Sequence, residues 1–230
     1  SFFNLLGFPF VMEMGIPIAA IAGATIVLML LLLLSHKIPG KIVILVIGLL
    51  FGHLSAGIIN ILVAVSDSQE IRSFLMWSLG SFSRMTNEEL PLFSFITISG
   101  MIISSFYVKH LNALLLGERY AKTMGVNLKK IKLILIVLSG ALSGIVSAYC
   151  GPIAFVGIIV PHIIKKVMKT SDHRLLFPAV VLGGGFLAMF SELIATLNEA
   201  FYLPLNAIFG LMGAPIIFLF LWNKRKSEVL

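Results

Sequence analysis

Two stretches of this chain, Ile16 to Leu34 and Ile42 to Val65, contain no Asp, Glu, Lys or Arg, and each has about the 20 residues that a helix needs to cross the hydrocarbon of a bilayer. Backbone placed in hydrocarbon finds no water to bond, so a spanning segment is either a helix or a strand of a closed barrel. Barrel strands are shorter and alternate polar with apolar residues, a pattern these runs lack. The rest of the chain agrees. With 59% hydrophobic and 12% charged residues and a mean hydropathy of +1.06, it has too little polar surface for water to be its main solvent. The expected fold class is therefore all-α, a polytopic helical bundle in a membrane.

Seven spans are predicted, at 16–35, 42–65, 91–108, 131–149, 153–168, 176–197 and 206–222, within one transmembrane domain covering residues 1–230. Alternating the loops across the membrane gathers every Lys and Arg on one side except Arg72 and Arg84. The positive-inside rule makes that side cytoplasmic, so the first residues are expected outside and the C-terminus inside. A net charge of +7 distributed in this way is a topology signal, and no basic face for nucleic acid is indicated.

Two connections are long enough to be structured. The external one, Ser66 to Leu90, places Ile71, Phe74, Leu75 and Ser78 at helical spacing, which predicts a short interfacial or re-entrant helix. The cytoplasmic one, Lys109 to Lys130, carries Leu111, Leu114 and Leu115, then Glu118, Arg119 and Lys122, with Gly125 as a helix stop. Organised apolar surface facing water predicts a docking partner.

Residues suited to chemistry are few. No phosphate-binding loop of the G-x-x-x-x-G-K-[ST] type is present, so the chain is not read as an ATPase or as an enzyme. His36, His53, His110, His162 and His173 include no i, i+3 or i, i+4 pair, and no metal site or bound cofactor is expected. The single Cys150 reads as a packed thiol. Gly52, His53, Ala56 and Asn60 form a small, polar face on the second span; either a tight helix contact or a water-lined path accounts for it. Glu192, near the outer end of the sixth span, fits either a snorkelling carboxylate or a proton relay. Gly140 and Gly144 have the four-residue spacing of a close helix approach.

The stretch Gly151-Pro152-Ile-Ala-Phe155-Val-Gly157-Ile-Ile-Val-Pro161-His162-Ile163 resembles the signature of the iron-chelate and vitamin B12 (FecCD-type) permease family of ABC importers. Leu116-Gly117-Glu118-Arg119 through Gly125-Val126, Ser171-Asp-His-Arg174, Leu203-Pro204, Gly213-Ala-Pro215 and, more weakly, Trp77 with Gly80 and Ser81 resemble the same family in the same order.

The resemblance implies the C-terminal part of a ten-helix type II importer fold, with the N-terminal helices missing from this chain. It implies a permease in a bacterial plasma membrane that works by alternating access. Its partners would be a second permease subunit as homo- or heterodimer, cytoplasmic ATPase subunits that use the ATP, and an external substrate-binding protein. Leu114, Leu115, Gly117, Glu118, Arg119, Ala121, Lys122 and Gly125 would form the ATPase-coupling loop, and Gly52, His53, Ala56 and Asn60 the translocation path. Members often place an arginine where Thr196 stands, so Arg72, Arg84 and Glu199 are the expected contacts to the binding protein. Iron-siderophore is the expected cargo, with haem or cobalamin as the alternative. A truncated, inactive paralogue, a seven-span receptor or enzyme, and a proton-coupled carrier are the competing readings.

Overall fold

The computed structural model describes residues 9–37, 41–197 and 203–227. They form ten helices and, among the described residues, no strand: α1 (Pro9–Lys37), α2 (Lys41–Val65), α3 (Ser68–Ser78), α4 (Leu90–Phe106), α5 (Val108–Leu115), α6 (Glu118–Thr123), α7 (Leu128–Cys150), α8 (Val156–Met168), α9 (His173–Ala195) and α10 (Leu205–Ser227). The all-helical, polytopic expectation holds.

The count of seven full spans does not emerge from the described residues. Every expected span contains a helix, but four (α1, α2, α7 and α9) are by themselves long and apolar enough to cross. A fifth arises if α4 and α5, bent by 51° at Tyr107, are taken together. The clearest correction concerns 153–168. Its helix, α8, has only 13 residues, about 20 Å against a hydrocarbon thickness of about 30 Å. The reason is local: Gly151 (φ 82°) and Phe155 (φ 68°) both hold left-handed backbone, so the chain from 151 to 155 cannot continue α7 into α8.

α7 is the centre of the first packing group, with α1 lying along it and α4 on another side. The glycine spacing explains the closeness. A Cβ on Gly144 would come within 2.5 Å of the Ile21 Cα, and one on Gly140 within 2.8 Å of the Thr25 Cα. Two helix backbones therefore meet where side chains are absent, which lets dispersion act over a long seam without any hydrophobic drive from lipid. In the second group α8 and α10 pack on α9, around a buried cluster of Ala195, Leu205, Ile208 and Phe209. α2 makes its main contact with α1 alone, and its residues from Gly52 to Leu62 are all exposed.

Candidate functional site

At the lysine-rich end, the expected helix and turn between residues 109 and 125 is in fact two helices. Gly117, with φ 99°, separates α5 from α6. α6 then ends in a Schellman motif: Val126 N–H donates to Ala121 O at 3.1 Å and Gly125 N–H to Lys122 O at 3.0 Å, with Gly125 at φ 81°. Gly125 is thus the helix stop that its position predicted. Asn127 caps α7 by accepting from the Lys130 N–H at 3.1 Å.

The faces of this element divide by function. Ala121 is fully buried against Ala113 and Leu128, with Leu114 and Val126 packed around them, so the apolar residues at 114 and 121 hold the three helices together. Leu115, Leu116, Tyr120 and Met124 are exposed. Tyr120 lies on α6 and Met124, four residues on, is its C-cap, whereas Leu116 is the C-cap of α5 on the other side of the Gly117 break. Tyr120 and Met124 were not singled out from the sequence, because their exposure depends on how α6 sits against α5 and α7. Glu118 pairs with Lys132 at 2.7 Å, an exposed pair of modest strength that fixes the register of α6 on α7.

A hydrogen-bonded clip joins this element to α9. Asn112, on α5, donates from Nδ2 to Asp172 Oδ1 at 2.5 Å and accepts from His173 N–H at 2.8 Å. Asp172 is also the N-cap of α9, accepting from Arg174 N–H at 2.9 Å. The Arg174 amide and then the Asn112 amide hold the Asp172 carboxyl below the usual carboxylate range. The Ser171-Asp-His-Arg174 stretch therefore has a geometric role, with Asn112 as its partner. Nothing in the sequence pairs residues 60 positions apart.

At the opposite end, three family-like stretches meet in one joint. The Trp77 indole N–H donates to Ser147 O at 3.1 Å and to Ala148 O at 3.3 Å, and Ser81 N–H donates to Cys150 O at 3.0 Å. These are carbonyls of the last turn of α7; Ser147 O also accepts from the Gly151 N–H at 3.1 Å, while the others lie beyond the reach of donors within the helix. Asn206 does the reverse for α3, donating from Nδ2 to Ser78 O at 2.8 Å and from its backbone N–H to Leu79 O at 3.2 Å. Gly151 lies beside this joint, where a Cβ would run into Trp77 O and approach the Gly80 Cα to 3.0 Å. Ser83 Oγ donates to Glu192 Oε1 across to α9, so that carboxylate is held by the joint.

Of the signature residues, Gly151 is buried, whereas Phe155 is exposed although it stands close to α10: a Cβ on Gly213 would lie 2.9 Å from the Phe155 Cβ. Pro152, Gly157 and His162 are exposed, and Pro161 is part-buried within α8. Gly52, His53, Ala56 and Asn60 lie exposed on α2, and a Cβ on Gly52 meets nothing within 4 Å. Arg72 and Arg84 are exposed at the joint end. Glu199 lies outside the described residues.

The model of the FecCD transport family matches residues 1–223. The chain is 32% identical over 171 residues to the hemin transport system permease protein HmuU of Yersinia pestis, covering 74% of this chain and 51% of that one. It is 29% identical over 211 residues to the vitamin B12 import system permease protein BtuC of Citrobacter koseri, covering 91% and 62%. A solved metal-chelate type ABC transporter in an inward-facing conformation superimposes with a TM-score of 0.74 at 28% identity, covering 85% of this chain and 63% of that one. The chain spans about half the length of the first curated relatives that it matches.

Proposed function

The chain belongs to the FecCD transport family, and from that premise we propose that it is the permease part of an ABC importer that moves a metal chelate inward. It sits in a bacterial plasma membrane with the lysine-rich end in the cytoplasm. ATP is used by separate ATPase subunits that dock on the α5–α6 element, and the membrane part is a pair of permeases forming one domain each. The observation that carries this reading is the exposure of the apolar Leu116, Tyr120 and Met124 on a base fixed by the Ala121 cluster, the Schellman turn and the Asn112 clip. Apolar side chains facing water are what a docking groove on a partner fills, with Arg119 at the rim; Glu118 and Lys122 turn towards α7.

The face of α2 that carries Gly52, His53, Ala56 and Asn60 is proposed to line the path, since polar and small residues open to space on an apolar helix suit a hydrated channel. Arg72, Arg84 and Glu199 are proposed to steer the external binding protein. The proposed cargo is iron-siderophore. A second reading, haem or cobalamin, is favoured by the hemin and vitamin B12 relatives.

Docking is tested by co-purifying the full-length permease with its ATPase. Tyr120→Asp with Met124→Asp is expected to abolish recovery of the ATPase while leaving the permease folded. Undiminished recovery overturns the assignment.

A further inference from the structure

Between the end of α1 and the α6–α7 turn lies an open cleft of about 720 Å³. Leu32, Leu33 and Leu133 line its apolar side, and Lys122, Lys129 and Lys132 its charged side. One of these cations, Lys132, is met by Glu118. Lys122 and Lys129 have no ion pair among the described residues. The cleft is therefore amphiphilic and carries excess positive charge, with its apolar wall made by two membrane helices. Lys122 is two residues from Tyr120 and so projects about 200° away from it around α6, on the face turned from the Tyr120 side proposed to meet the ATPase.

We propose that this cleft binds the phosphate headgroup of an anionic phospholipid of the surrounding bilayer, with its acyl chains against Leu32, Leu33 and Leu133. The assignment rests on the topology proposed above, which places the lysine-rich end at the cytoplasmic leaflet. Charge complementarity selects the occupant: each lysine near a membrane surface attracts anionic lipid by roughly fivefold, and the leucines match acyl chain where a soluble anion would leave them wet. The bound lipid braces α6 against α1 and α7, beside the coupling element.

The test uses the full-length permease with its ATPase, in nanodiscs of phosphatidylcholine with a minority of phosphatidylglycerol, and native mass spectrometry to count retained lipid. The intact protein is expected to retain phosphatidylglycerol in preference to phosphatidylcholine. Lys122→Gln with Lys129→Gln is expected to weaken that retention on the order of 25-fold, whereas Lys165→Gln with Lys166→Gln, basic residues that do not line the cleft, leaves it unchanged.

Equal retention by the cleft variant, or equal loss in the α8 variant, overturns the proposal. So does displacement of the lipid by soluble glycerol phosphate, which identifies a free-anion site, or loss of the ATPase with lipid retained, which identifies a protein contact. Lipid retention requires neither transport nor ATP hydrolysis, so a failure here is separable from a failure of the importer reading.

Discussion

Asn112 donates from Nδ2 to Asp172 Oδ1 at 2.5 Å, and through this bond the short α5 is fixed to the first turn of α9. α9 is in turn held at its far end, where Glu192 accepts from Ser83. One helix is thus tied to the proposed ATPase-docking element at one end and to the α3–α7–α10 joint at the other. Asn112→Ala removes its three side-chain hydrogen bonds, to the Asp172 carboxylate and to the His173 N–H and ring Nδ1, and leaves the fold's apolar clusters intact. A Tm lower by about 2–4 °C is expected, together with a loss of substrate-stimulated ATPase activity larger than the loss of protein. A structural role alone leaves stimulation per folded molecule unchanged.

The clip is also expected to respond to acid. Because the folded Asp172 carboxyl lies below its ordinary value, which is about 3.9, its contribution to stability is fully present above that value. It is lost as pH falls through the lower, folded value. Thermal melts of the intact protein and of Asp172→Asn, which keeps an acceptor for the cap, should differ by a constant amount above about pH 5 and converge below about pH 4. Curves that stay parallel to the acid limit contradict this.

Gly151→Ala is expected to destabilise strongly. Backbone at φ 82° and ψ 175° is open to glycine almost alone, costing other residues roughly 1–3 kcal/mol, and the added Cβ also strikes Trp77 O. Gly157→Ala, in α8 with nothing within 4 Å, should leave Tm unchanged or raise it slightly by favouring helix. Melts of both variants in the same detergent check the contrast.

Single cysteines at Ala56 and Asn60 are expected to react with a water-soluble maleimide in the membrane, and one at Ile58, about 200° around α2, to be protected by lipid. The native Cys150 is buried and adds little background. Equal labelling at all three positions removes the case for a hydrated path on that face.

Much of this was legible in the sequence because lipid leaves few alternatives. Charge-free runs, the segregation of Lys and Arg and the Gly140/Gly144 spacing pointed to helices, a proposed sidedness and a close seam on α7, though not to α1 as its partner. Gly125 gave its own turn, since a glycine after a helix needs only local geometry to act as a stop. The break after α7 was expected, but the shortness of α8 was not, because apolar residues continue through 153–156 and hydropathy does not register the positive φ at Phe155. Gly117 was missed as a helix break for the same reason. The inward role of Ala121 and Leu114, and the exposure of Tyr120 and Met124, depend on where α5 and α7 lie and so on tertiary packing. Asn112 and Trp77 act through partners 60 or more positions away, beyond the reach of any local pattern.

The most direct test of the account is uptake of radiolabelled ferric siderophore, haem and cobalamin by cells with the intact gene, with its deletion, and with Tyr120→Asp plus Met124→Asp. The account predicts that one of these chelates ceases to enter both in the deletion and in the docking variant, with the permease still present in the membrane. Unchanged uptake of all three in both strains contradicts it.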